Sequence, residues 1–233
     1  MMKFQLFALL LVIAAASAKP SFSDVSIVDE SSDRQQRIIV EGQIRRIIQQ
    51  IREGIQKAGL DPLEVERAEY EDSPIPFLVE IKAFIENLKF NGLSNIVIHN
   101  LNYSLIFNRL RMDLSLPAIR LSIGDSGIEA SVFGNSLEGQ LKGSVAIISL
   151  RLATEVRVNI GIISGISIRS ISINLSLGGI ESDVSISLLG NDLSDEVNVL
   201  LGESIPKFFS ENAASINKFL EDLIKGLLDR SSF

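Results

Sequence analysis

The chain has 233 residues, no cysteine, a single histidine and a net charge of −7. Without cysteine there is no thiol nucleophile, thiolate metal site or disulfide, and with His99 alone no site that needs two imidazoles. The negative charge argues against a nucleic-acid partner, which needs clustered basic surface.

The N-terminus reads as a secretory signal peptide. Lys3 precedes an apolar run, Phe4 to Ala15, interrupted only by Gln5, and Ala16-Ser17-Ala18 supplies a small-residue cleavage site before Lys19. The run is too short to span a bilayer, and no later segment is long and uncharged enough, so no stable membrane insertion is expected. Residues 1–18 are taken as the signal peptide and 19–233 as one secreted, extracellular domain, large enough to bury its own core.

Three segments follow. Between Asp33 and Ala58, Val40, Ile44, Ile47, Ile48, Ile51 and Ile55 recur three and four apart, which predicts a long amphipathic helix. Its arginines lie mostly off that stripe, as a solvated face. Gly59 ends the helix, and Asp61-Pro62 opens an expected loop through the acidic stretch Glu69 to Asp72 and on to Pro76.

From about Phe77 to Leu189 the period changes to two. In Val97-His99-Leu101-Tyr103-Leu105-Phe107 the odd positions are apolar but for His99, and Asn100, Asn102 and Ser104 face the other way. The same alternation recurs around Leu110 to Leu116, Leu150 to Ile160 and Ile171 to Leu177, the pattern of an antiparallel sheet with one wet face. Turns are expected at Gly124-Asp125-Ser126-Gly127, Gly134-Asn135-Ser136 and Gly178-Gly179. The buried parity slips near Pro117, at Ile147-Ile148 and at Arg169-Ser170. Such slips need bulges, and bulges curve a sheet.

The last segment is helical. Ser194 is the expected N-cap with Asp195 and Glu196 in the first turn, and a stripe runs from Val197 to Leu227, kinked or divided by Pro206. The order predicts an α+β fold: a long N-terminal helix and a strongly curved antiparallel sheet wrapped around a long C-terminal helix.

The chemistry is sparse. No GxSxG elbow or glycine-rich phosphate loop occurs. His99 shares its strand's apolar face and reads as a core or pocket-rim residue. The acidic pairs Asp29-Glu30 and Glu71-Asp72 read as solvated surface. No enzyme, catalytic residue, metal or cofactor is expected. Sequons at Asn102 and Asn174 lie on the wet parity of their strands and are candidate glycosylation sites.

Some short motifs have a familiar look. Gly59-Leu60-Asp61-Pro62-Leu63 after the first helix, Phe90-Asn91-Gly92-Leu93-Ser94 leading into a strand, and Leu114-Ser115-Leu116-Pro117 resemble the mite group 7 allergen family and its insect relatives. That family belongs to the tubular lipid-binding superfamily, with the juvenile-hormone-binding and takeout proteins and bactericidal/permeability-increasing protein. The resemblance implies a super-roll with an apolar tunnel and no catalytic residues. The hormone-binding and takeout branch usually carries a cysteine pair near its N-terminus. This chain has none, which counts against juvenile hormone as ligand.

Such a chain is expected to carry or sequester a lipid or other apolar small molecule. Candidate lining residues are His99, Leu101, Tyr103, Leu105 and Phe107 from the sheet, and Phe208, Phe209, Ile216, Phe219 and Leu220 from the last helix. Two other classes stay open: a secreted recognition module, innate-immunity-like or allergen-like, with a solid core and no ligand, and a protein making transient membrane or bacterial-lipid contact.

Overall fold

A computed structural model describes residues 30–75, 79–132, 135–161 and 165–230, so the expected signal peptide lies outside the described residues. Helix α1 (Glu30–Lys57) leads into β1 (Leu63–Ile75), β2 (Val79–Asn91), β3 (Val97–Ser104), β4 (Arg109–Ile123), β5 (Asp125–Val132), β6 (Asn135–Gly161), β7 (Gly165–Leu188) and the short β8 (Asn191–Asp192). The C-terminal run comprises α2 (Ser194–Val199), a π-helical turn Leu200–Ser204, α3 (Ile205–Glu211) and α4 (Ala213–Arg230). Helix, curved antiparallel sheet and helix follow in the expected order.

All strands join one sheet. Residues 79–91 of β2 and 97–104 of β3 lie end to end, because both pair antiparallel with the continuous line of β4 and β5. β6 pairs along the other side of that line, and β7 along β6. The sheet is therefore a meander of long rows: β1, then β2 with β3, then β4 with β5, then β6, then β7.

A crease crosses these rows. β4 buries Leu110, Met112, Leu114 and Leu116, then changes parity and buries Ile119. Pro117 has no N–H to offer the ladder, and Leu116 pairs with Leu150 and Ala118 with Ile148, leaving Pro117 and Ser149 unpaired between them. Ser149 takes a positive φ of 52°. On β7, Gly178 faces Ser149, and a Cβ on it would lie 2.8 Å from that of Ser149. In the β2–β3 row the crease is the break at residues 92–96. There Gly92, with a φ of 102°, passes so close to Ala118 that a Cβ would collide with its carbonyl oxygen. The register shift beside Arg169 accounts for the remaining expected slip.

Asp61 holds the break. Its buried carboxylate accepts from the backbone N–H of Gly92 at 2.9 Å and of Ser94 at 2.5 Å. Burial by itself would raise its pKa, but the Ser94 hydroxyl and the two backbone donors outweigh burial and hold it below the ordinary aspartate value. α1 is fastened to the same place, where Gln56 Nε2 donates to Ser94 Oγ at 3.3 Å and Arg52 to the Ile96 carbonyl.

Along β7 and β3 helix side chains meet the free edge. On β7, the N–H groups of Ile186, Val184, Leu175 and Ile173 donate to Ser194 Oγ, Asn198 Oδ1, Asn217 Oδ1 and Glu221 Oε1 at 2.9 to 3.0 Å. Asn198 also returns a bond from Nδ2 to the Val184 carbonyl at 2.8 Å. On β3, Tyr103 N–H donates to Glu41 of α1 at 3.1 Å.

Several expectations are corrected. The stretch after Asp61-Pro62 is not a loop but β1, a thirteen-residue strand that pairs with β2 despite its charge. An edge strand with both faces largely wet shows no apolar alternation, and cross-strand pairs such as Lys82 with Glu71 support it instead. The glycines at 124–127 and 178–179 do not reverse the chain; they mark the bend between β4 and β5 and the crease in β7. Ser194 is the first residue of α2 rather than its cap, and its hydroxyl serves β7. The C-terminal run is interrupted by the π turn before Pro206 and again at Asn212.

Two outcomes follow. Asn198→Ala removes both bonds to Val184 and is expected to cost about 1–3 kcal/mol in urea unfolding, with faster amide exchange at Val184. Asp61→Asn is expected to remove an acid-sensitive share of stability. Because the folded pKa is lowered, that share is complete above the ordinary aspartate value and lost as pH falls through and below it. The stabilities of the two proteins should therefore differ most near neutral pH and draw together as pH falls below the ordinary aspartate value.

Candidate apolar site between sheet and helices

The inner face of the sheet is a continuous apolar field. β3 contributes Leu101 and Tyr103, β4 Leu110, Met112 and Leu114, β6 Leu150, Leu152 and Val156, and β7 Ile171 and Ile173. Cross-strand register puts them side by side, as in Leu101 with Met112, Leu114 with Leu152, and Val156 with both Leu110 and Ile171. α1 lays Ile44, Ile48 and Ile51 on this field and α4 lays Leu220 and Ile224. Polar groups enter it at Tyr103 and at Thr154, whose hydroxyl donates to the Ser172 carbonyl at 3.1 Å. The field is not sealed. Among the described residues only Ile48 falls below 2% exposure, and Tyr103, Leu150, Leu152 and Leu220 touch the core while staying partly accessible.

The outer face is polar. Asp113 accepts from Arg151, whose two bonds hold its carboxyl below the ordinary aspartate range. Glu155 is likewise held low, by the hydrogen bond from Arg111 and then that from Arg157. Among the described residues no group of three or more His, Cys, Asp or Glu side chains is placed to hold a metal ion.

The expected lining residues divide. Leu101 is buried, and Tyr103 and Leu220 pack against the core. Leu105, Phe209 and Ile216 are half-buried. His99 is a correction: it is exposed, on the outer side, with Nε2 2.7 Å from Ser115 Oγ. Ile98 pairs with Leu114 and Asn100 with Asp113, so His99 is the extra residue of a bulge, and Ile98 takes the inner position. Phe107 lies beyond the strand in the turn Leu105–Asn108 and is 66% exposed. Phe208 and Phe219 are exposed because the π turn and the break at Asn212 shift the helical phase, and Asn217, Leu220, Glu221 and Ile224 set the face that meets the sheet.

The larger contributors, Met112, Leu114, Ile171, Ile173 and Ile224, were all visible as apolar strand or stripe positions. What marks them out is register, which brings them opposite α1 and α4. Asn102 is half-buried and Asn174 exposed, both on strands.

This arrangement defines a class: an α+β protein whose curved sheet turns one apolar face onto helices from both ends of the chain. The chain belongs to the family described as haemolymph juvenile hormone binding protein (JHBP), whose model matches residues 6–232. It is thereby a member of the tubular lipid-binding superfamily, and the lack of a cysteine pair does not set it outside the hormone-binding family. Among solved structures it is similar to Takeout 1 of Epiphyas postvittana, at 14% identity over 71% of this chain and 78% of that one, with a TM-score of 0.34. It is also similar to a lipopolysaccharide binding protein, at 11% identity over 72% of this chain and 33% of that one, with a TM-score of 0.23. No match is found among curated proteins.

Leu114, buried at the centre of the field, offers a direct test of packing. Leu114→Ala is expected to cost about 2–5 kcal/mol by chemical denaturation, whereas Phe219→Ala, on an exposed ring, should cost far less.

Proposed function

We propose that the protein is a secreted, non-enzymatic carrier that takes up a lipid or other apolar small molecule between the inner face of the sheet and the helices. The family match over nearly the whole chain is the observation that carries this reading. The incompletely sealed apolar field supports it, since an interior that binds must leave its lining accessible. Transfer of each ligand methylene from water to such a lining contributes about 0.8 kcal/mol, so an alkyl chain supplies affinity without many polar contacts.

Within this reading Leu101, Tyr103 and Leu220 are lining residues from the expected set, joined by Leu150 and Leu152. Leu105, Phe209 and Ile216 extend the lining toward its ends. The Tyr103 hydroxyl and Thr154 are the groups placed to orient a polar ligand head. The signal peptide at residues 1–18 and an extracellular location fit a family described from haemolymph. Of the two sequons Asn174 is the exposed one, and a glycan there would stand on the outer face of the sheet, clear of the ligand, whereas Asn102 is half-buried beside Arg111. The short motifs shared with mite group 7 allergens support a place near that branch of the superfamily.

Protein from its own source, examined by native mass spectrometry, is expected to retain an apolar ligand, and stripped protein to bind a fluorescent fatty acid. Leu152→Trp should fill the lining and weaken that binding at least about tenfold while the fold persists. Protein that arrives empty and binds neither fatty-acid nor terpenoid probes would count for the solid-core recognition module instead.

A further inference from the structure

We propose that the end of the fold formed by the β3–β4 turn docks onto lipid bilayers rich in anionic headgroups. This concerns the outside of the molecule and holds whatever the interior carries.

The apolar part comes first. Ile106 and Phe107 occupy the tip of the turn and are 68% and 66% exposed. The turn is closed by Asn108 N–H donating to the Leu105 carbonyl at 3.1 Å, with Asn108 at a φ of 45°, so its geometry makes no demand for apolar side chains at the tip. α1 runs antiparallel to the β2–β3 row: Gln56 meets Ser94, Arg52 meets Ile96 and Glu41 meets Tyr103. One more helical turn toward its N-terminus brings Ile38 and Ile39, 60% and 57% exposed, to the level of the β3–β4 turn. Two separate elements thus present exposed apolar pairs at one end.

The charge at that end is the reverse of the chain's. Arg109 stands directly across from Arg157, and Arg111 across from Glu155. Arg169, exposed, is the extra residue at the register shift beside Arg157. Arg109, Arg111 and Arg157 thus converge on the one carboxylate of Glu155, with Arg169 beside Arg157, in a chain of net charge −7. The Arg109 guanidinium lies 5.4 Å from the Phe107 ring centre, joining the basic and apolar parts, and its Nε has no hydrogen-bond partner. Isoleucine and phenylalanine beside a rim of arginines is the composition that seats in the headgroup region of a negatively charged membrane. The opposite end also exposes apolar side chains, Leu188 and Leu189, but next to Glu138 and Asp192, and an acidic border repels the same surface.

Flotation of the mature protein with vesicles tests this. Partition is expected to be at least about tenfold greater with equal parts phosphatidylcholine and phosphatidylglycerol than with phosphatidylcholine alone, and to fall in high salt. The double variant I106S/F107S should lose most of that partition, and R157Q/R169Q should lose several-fold and show a shallower salt dependence. Leu189→Ser, at the other end, should behave as the parent. All of these side chains are at least partly solvent-exposed, and circular dichroism melts confirm that each variant is folded before flotation is read. The proposal is overturned by equal partition into neutral and anionic vesicles, by no partition into either, or by a loss in Leu189→Ser as large as that in I106S/F107S.

Discussion

An open sheet has two edges whose backbone groups must find partners, and the way this chain meets them determines where everything else lies. At β7 the donors of Ile173, Leu175, Val184 and Ile186 are taken by Glu221, Asn217, Asn198 and Ser194. At β3 the Tyr103 N–H donates to Glu41 of α1, and just before the strand Arg52 donates to the Ile96 carbonyl. Apolar contact alone is non-directional and would let a helix slide or roll over the sheet. Hydrogen bonds to named backbone groups fix its height and rotation. They also occupy stretches of edge along β7 and β3 that would otherwise template pairing with another chain. In a protein with no disulfide, these side chains supply the positional restraint.

Once both helices are fixed along the edges, the inner face has no choice of partner. Ile44, Ile48 and Ile51 from one side and Leu220 and Ile224 from the other meet the same apolar field. The ion pairs of Arg111, Asp113, Arg151 and Glu155 gather on the other face, where water is available to them. The division between an apolar side and a solvated side is thus a consequence of edge geometry combined with strand parity.

Much of this was legible in the residues themselves. The stripe Ile44, Ile48, Ile51 and the alternation of Leu110, Met112, Leu114 and Leu116 state their burial directly, and Pro117 announces a slip because it cannot donate. β1 was not legible, since a charged strand at an edge owes its form to pairing with β2 and leaves no apolar period. His99 was misplaced because one inserted residue reverses parity, and nothing local distinguishes a bulge from a continuing strand. Phe208 and Phe219 looked inward on a stripe expected to kink or divide only at Pro206, and the π turn before it and the further break at Asn212 turned them out. Gly178 and Gly179 looked like a reversal, whereas a long strand used them to bend. Phe208 and Phe219 apart, the deciding partner lies on another strand.

Gly92, Pro117, Ser149 and Gly178 occupy four successive rows at one level, and the parity change crosses β4, β6 and β7 at that level. The rows are therefore mutually locked in phase. A residue inserted into or deleted from one row between the crease and its neighbouring turn would leave that strand facing outward while its neighbours still face in. Length in this sheet is a shared property of the strands, and tolerance to insertion should be confined to the ends of the hairpins. Residue substitutions can change the apolar face one position at a time, but its breadth can change only when several rows change together.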